Sequence, residues 1–321
     1  MVGASGDAVR GALLGALAGD CVGAPYEGSR PVGPEGARRR VRLALARGHR
    51  RGPRIRRVPS RPVLAYTDDT QLTLALVDHL VDDDPRVDPR LLAHRMLARY
   101  EPHRGYGPGM RRLVEVWRQG HDIAAAATAV FPDGSFGNGA AMRVAPVGLL
   151  WAGSDELVAV ARRSALVTHA HPVGIDGAVV VAAAVARAAL DGRFGPHDLA
   201  RLPTHTPALR EGLAAAARTE PAASPAAVAA ALGTAPTADR SVPAALWCAA
   251  VSADVEECVT RAIALGGDTD TIASMAAAVR GAVAGASALP GAWTDALEGH
   301  RLVVDAAERL TATVHSAPGD A

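Results

Sequence analysis

The chain has 321 residues, 49% of them hydrophobic, which is enough to bury a substantial core in one large domain or two. A formal net charge of +1 gives no general case for nucleic acid or an anionic membrane as partner. The scattered Cys21, Cys248 and Cys258 lack zinc-ligand spacing and suit a reducing cytoplasm. Aromatic residues make up only 3%, so Ala, Val, Leu and Gly must fill the interior, and helices in close contact through small residues are the natural architecture. No disordered linker, internal repeat or strand alternation interrupts the chain, and residues 1–321 are read as one all-α domain with a core of about 9–310. Arginine supplies every basic side chain and lysine is absent, a compositional bias and not a sign of phosphate recognition.

The first predicted helix spans 7–17, with Asp7 as cap and a Gly/Ala face; Asp20 and Glu27 fall just beyond its end. The apolar run 11–19 is too short for a membrane span and lacks the flanks of a signal peptide. Residues 38–61 are rich in arginine without one acid, and read as a solvated loop or as a rim steering an anionic diphosphate. Tyr66-Thr67-Asp68-Asp69-Thr70 heads a helix over 70–79, which Asp82-Asp83-Asp84-Pro85 stops with solvated acids. Helices follow at 89–100, 110–118 and 123–130, with a glycine-rich loop at 104–109. In 133–143, Phe136-Gly137-Asn138-Gly139 forms a loop that is either a tight turn or a cradle whose backbone N–H groups approach phosphate, ahead of a helix over 140–150 that includes Met142. Ser154 caps a helix over 154–166. His169 and His171, two apart, cannot share a helix face. An apolar, central helix covers 174–190, a loop 191–206, and an Ala-rich, Pro-interrupted stretch 207–235. Helices at 244–251 and 255–265 deliver the chain to Gly266; a helix begins near Asp268 or Thr269, with 276–288 packing inward, and the last spans 305–310.

The chemistry concentrates where two helices begin. Gly266-Gly267-Asp268-Thr269-Asp270-Thr271 alternates carboxylates with hydroxyls after a glycine bend, and Thr67-Asp68-Asp69-Thr70 offers the same groups again. Such oxygens are what hard cations prefer, but Asp and Thr are also ordinary helix caps. Four carboxylates close together would repel strongly without a cation. Either the two heads lie apart as caps, or they face each other and share metal.

Five stretches in order carry a resemblance to the ADP-ribosylglycohydrolases, the group that includes the dinitrogenase reductase-activating glycohydrolase. They are Gly11 to Asp20 with Gly23-Ala24-Pro25-Tyr26-Glu27, Thr67-Asp68-Asp69-Thr70, Gly137-Asn138-Gly139 with Met142-Arg143, Thr168-His169, and Gly266 to Thr271. The resemblance runs from about residue 9 to 310. It implies an all-α bundle with loops gathered around two Mg²⁺ (or Mn²⁺), held by Thr67, Asp68, Asp69, Asp268, Asp270 and Thr271. It implies that Glu27 lies near the metals and gates or orients substrate, and that Glu27 or an Asp ligand such as Asp68 or Asp69 takes the proton of the attacking water. Phe136, Gly137, Asn138, Gly139, Met142 and His169 would hold ADP-ribose, with Ser241-Val242-Pro243 capping a helix. The partner would be ADP-ribose or an ADP-ribosylated protein, in the cytoplasm, with neither membrane nor nucleic acid involved. Cleavage of a phosphate ester by a similar metal pair, binding without turnover, and the family's lens-protein relatives are the rival readings; retention of all six ligand positions argues against the last.

Overall fold

The computed structural model describes residues 3–48 and 63–316. Eighteen α-helices lie in the described residues. The first nine are α1 Gly6–Gly23, α2 Pro34–Arg47, α3 Asp68–Asp82, α4 Pro89–Arg99, α5 Pro108–Arg118, α6 Ile123–Val130, α7 Gly139–Met142, α8 Ala145–Leu150 and α9 Leu157–Leu166. The rest are α10 Pro172–Asp191, α11 Pro196–Leu199, α12 Pro207–Arg218, α13 Pro225–Leu232, α14 Ala238–Val251, α15 Val255–Leu265, α16 Thr269–Ala284, α17 Gly291–Thr294 and α18 His300–Ser316. No strand forms among the described residues, only isolated bridges. The all-α expectation holds.

The organising contact is α1 against α16. Gly11, Gly15, Gly19 and Gly23 recur every four residues, so they stack on one face of α1. A Cβ on any of them would overlap the backbone of α16, at Gly281, Ala277, Ala273 and Thr269 in turn. Two helices pressed backbone to backbone bring their ends together, here Gly23 and Thr269, whose hydroxyl donates to the Gly23 carbonyl at 2.9 Å. Around α16 pack α14, α15 and α10. The helix α10 is long and apolar enough to cross a membrane by composition, but it is a core helix, buried mostly within the protein.

That packing explains the largest departure from the sequence expectation. The first helix runs to Gly23, past the predicted end at 17, and its cap is Ser5, whose Oγ accepts from Ala8 N at 3.2 Å. Glycine costs about 1 kcal/mol in a helix interior, but close packing against a partner outweighs it. Asp20 therefore lies inside the helix and not beyond it. The basic segment is also not all loop: Pro34 to Arg47 is helical, with Pro at its first turn, Glu35 beside it and Ala37, Val41 and Ala44 on the buried face. The remainder of that segment, with Arg50, Arg51 and Arg54, lies outside the described residues.

Other boundaries moved for local reasons. The helix expected at 140–150 is two short ones, because Pro146 has no N–H to donate to the Met142 carbonyl and the helical ladder breaks there. Ser241 is no cap: α14 begins at Ala238 and carries Pro243 in its interior, where Gly212 of α12 packs against the pyrrolidine ring. Within 207–235, prolines open both α12 and α13 and so start helices instead of breaking them. The last helix extends well past 305–310 at both ends, while α16 begins at Thr269 as expected and ends before Gly285, short of 288. The acids before Pro85 are not simply solvated: Asp83 pairs with Arg95 at 2.7 Å and Asp82 with Arg309 at 2.7 Å.

Candidate active site

Two helix heads meet at one end of the α1–α16 pair. At the head of α3, Thr67 occupies the cap position and its Oγ1 accepts from Asp69 N at 3.3 Å. At the head of α16, Asp268 occupies the cap position but makes no capping bond. Its carboxylate instead accepts from Asn138 Nδ2. The capping explanation thus accounts for Thr67 and fails for Asp268. The heads also touch: Thr67 Oγ1 and Thr271 Oγ1 both donate to Asp69 Oδ2 at 3.3 Å.

Two further devices hold this arrangement. Gly266 and Gly267 both have positive φ, at 70° and 73°. Side chains there would collide with the Ser29 and Thr234 backbones. The close approach lets Gly28 N donate to Gly267 O at 2.7 Å and Gly267 N to Ser29 O at 2.9 Å. Glu27 is thereby tied next to the α16 head, and its carboxylate, with those of Asp268 and Asp270, offers ligand oxygens all within 4.8 Å of one another. The sequence reading gave Glu27 a gating or proton-accepting place; the structure puts it within reach of the same ion as Asp268 and Asp270.

The second device is Asp20, which sequence reasoning noticed only as an acid beyond a helix. It is wholly buried and accepts three donors from the head of α3: Thr67 N at 3.0 Å, Thr70 N at 3.1 Å and Thr70 Oγ1 at 2.6 Å. It caps α3 from α1. Asp20→Asn would turn an amide N–H toward these donors, and should cost about 1–3 kcal/mol. A melting curve on the metal-free variant checks this, and a loss below about 0.5 kcal/mol would show that Asp20 is not a required acceptor.

The cluster is electrostatically unhappy by itself. Burial, and then Asp20, Asp270, Asp68 and Asp268, push the Asp69 carboxyl well above its ordinary range. Burial, and then Asp268, Glu27, Asp20 and Asp68, do the same to Asp270. Burial raises Asp268 and Asp20 as well. Asp69 Oδ1 is buried with no hydrogen-bond donor among the described residues. An all-oxygen set of carboxylates and hydroxyls, with an orphaned carboxylate oxygen and raised proton affinities, fits a hard divalent cation.

A cavity of about 420 Å³ opens from this cluster. Of the residues expected from sequence, Glu27, Asp68, Asp69, Gly137, Asn138, Gly139, Met142, His169, Asp268, Asp270 and Thr271 line it. Thr67 lies just beneath, buried, holding Asp69. Phe136 does not line it: its ring is 51% exposed and stands edge-on to His171, with centroids 5.4 Å apart. His171 caps α10, its Nδ1 accepting from Val173 N at 3.2 Å, which leaves His169 as the histidine of the cavity. Phe131, Arg143 and Thr168, and the loop from Gly105 to Gly109, form walls that the sequence did not single out as site residues. The loop glycines were visible in the sequence; nothing local to Phe131 marked it. Tyr106, beside that wall, has its hydroxyl pushed well up by burial.

Fold and cleft together define an all-α protein whose carboxylate-lined cavity is suited to a divalent cation. The family model for ADP-ribosylglycohydrolase matches residues 3–319. The ADP-ribosylhydrolase ARH3 of Bos taurus is 32% identical, covering 91% of this chain and 88% of that protein. The Homo sapiens ARH3 is also 32% identical, over 91% of this chain and 89% of its own. A solved structure titled "ADP-ribosylglycohydrolase-related protein complex" superposes with a TM-score of 0.73 at 27% identity, covering 96% of this chain and 98% of that one. This chain belongs to the ADP-ribosylglycohydrolase family.

Proposed function

We propose that the protein hydrolyses the glycosidic bond joining ADP-ribose to a modified protein side chain, arginine or serine, and so reverses mono-ADP-ribosylation. The observation that carries this reading is the convergence of the two helix heads on Asp69 at the floor of a cavity of about 420 Å³, within the range of small-molecule sites. Thr67, Asp68, Asp69, Asp268, Asp270 and Thr271 would hold two Mg²⁺ or Mn²⁺. Bound there, such ions supply Lewis acidity, a more acidic water and compensation of charge at the reacting centre. Glu27, beside Asp268 and Asp270 at the cavity mouth, orients substrate or accepts the proton of the attacking water, as could Asp68 or Asp69. Gly137, Gly139 and Met142 line the wall that the diphosphate and ribose would follow, with His169 toward the adenosine. Asn138 acts on the metal side of this wall, since its amide already donates to Asp268. The ADP-ribosylhydrolase relatives support hydrolysis over binding alone. Three buried, unpaired cysteines fit the reducing cytoplasm we assign to the protein.

The test is incubation with ADP-ribosyl-arginine and ADP-ribosyl-serine peptides, before and after chelation and with Mg²⁺ or Mn²⁺ added back. Release of intact ADP-ribose that stops on chelation and returns with metal is the expected result. Release of AMP or phosphate instead would assign a phosphate-ester hydrolase. Full turnover in metal-free protein would remove the dinuclear site from the reading.

A further inference from the structure

Arg143 is buried beneath the glycine loop; its two terminal nitrogens donate to fixed places, while its Nε is buried with no partner among the described residues. Nη1 donates to the Gly139 carbonyl at 2.6 Å; Nη2 donates to the Ser164 carbonyl at 3.0 Å and to Thr168 Oγ1 at 2.9 Å. A guanidinium has donors and no acceptor, so Thr168 Oγ1 can only accept from it. The other side-chain contact of that hydroxyl is His169 Nδ1 at 2.7 Å. Thr168 is buried, so its own proton has the imidazole as its natural acceptor. Nδ1 is then the unprotonated nitrogen, and the ring proton sits on Nε2.

The far edge of the ring faces the glycine loop: a Cβ at Gly137 would lie 3.6 Å from Nε2. With the proton on Nδ1 instead, two donors would converge on Thr168 Oγ1 and its O–H would be buried without use. A charged ring is disfavoured by burial and then by Arg143, which together push its pKa down to about 3. The ring is also confined: a Cβ at Gly174 would meet its Cδ2 at 2.9 Å, and one at Gly139 its Cε1 at 3.4 Å.

We infer that Arg143 is a positioning residue that, through Thr168, locks His169 as the neutral Nε2–H tautomer against the 137–139 loop, and that its own bond to Gly139 holds this loop so that Asn138 Nδ2 points at Asp268. The backbone anchors on either side of Asn138 leave its amide one course, between Ser241 Oγ at 3.0 Å and Asp268. A buried arginine thus sets the geometry of a carboxylate it never touches. Held this way, the loop and the ring keep their shape against a ligand in the cavity. This last consequence rests on reading the cavity as an ADP-ribosyl pocket.

The experiment is ¹⁵N NMR of histidine-labelled protein, metal-free and without substrate, with His169 assigned as the signal missing from His169→Gln. The expected ring has a pyridine-type Nδ1 and a pyrrole-type Nε2, unchanged from pH 5 to 8. Thr168→Val keeps the shape and removes the relay hydroxyl; it should lose the fixed tautomer and raise KM for an ADP-ribosyl peptide about three- to tenfold, with a smaller change in kcat. Thr168→Ser should restore both. A proton on Nδ1 in the wild type, or a Thr168→Val protein whose tautomer and KM match the wild type, overturns the inference. The ring signal needs no substrate, so a protein that shows the expected tautomer but releases no ADP-ribose fails the functional reading alone.

Discussion

Asp69→Asn is expected to abolish most turnover while leaving the metal-free protein as stable as the wild type, or more so. Asn keeps the shape and one oxygen but removes the charge at the point where both helix heads meet. Misplacing a metal-bound substrate typically costs about a hundredfold or more in rate. Stability should move the other way. The Asp69 carboxyl is pushed well above its ordinary value, first by burial and then by neighbouring acids. In the chelated protein the folded state therefore holds this proton more tightly than the unfolded state does. Stability from this group is present below the unfolded pKa and is lost as pH rises through the raised folded value. Melting temperatures of chelated protein should fall more steeply with pH in the wild type than in Asp69→Asn. At neutral pH, Mg²⁺ should stabilise the wild type by about 2.7 kcal/mol at a hundredfold excess over Kd, and the variant by less. Equal metal-induced shifts in the two proteins would mean that Asp69 is only a first-turn helix acid.

The second large effect belongs to a residue that offers no oxygen ligand. Gly19→Val should destabilise the protein by about 3 kcal/mol, a fall in Tm of roughly 4–5 °C, and should also cost activity. A side chain there runs into the Ala273 carbonyl and the Ser274 backbone, and no rotamer escapes a backbone clash at Cβ. Relief requires α1 and α16 to separate, which moves Asp20 away from the α3 head and the α16 head away from Asp69. Gly33→Ala is the control: a Cβ at Gly33 has open space around it and φ is −63°, so it should be neutral or slightly stabilising. If Gly19→Val melts with the control and retains full activity, the tight α1–α16 contact does not set the site.

Both effects bear on how far the sequence itself reaches. The residue types at the two helix heads, alternating carboxylate and hydroxyl after a bend, are local chemistry, and the sequence alone was enough to nominate them as caps or ligands. It also determined the all-α class, since few aromatics and many small apolar residues leave helix contact as the route to a core. It could not choose between cap and ligand, because that depends on whether positions 202 residues apart, Asp69 and Thr271, come within hydrogen-bond distance. Only the tertiary structure brings these positions together, by way of the glycine face of α1. The same glycines misled the reading of the first helix, because intrinsic propensity prices Gly as a breaker and cannot see the backbone that fills its empty side. Asp20 and Arg143 escaped notice as functional candidates for a related reason. Their partners are main-chain donors and acceptors supplied by other segments, Thr67 and Thr70 for one, Gly139 and Ser164 for the other, and a backbone group carries no signature in the sequence until the fold presents it.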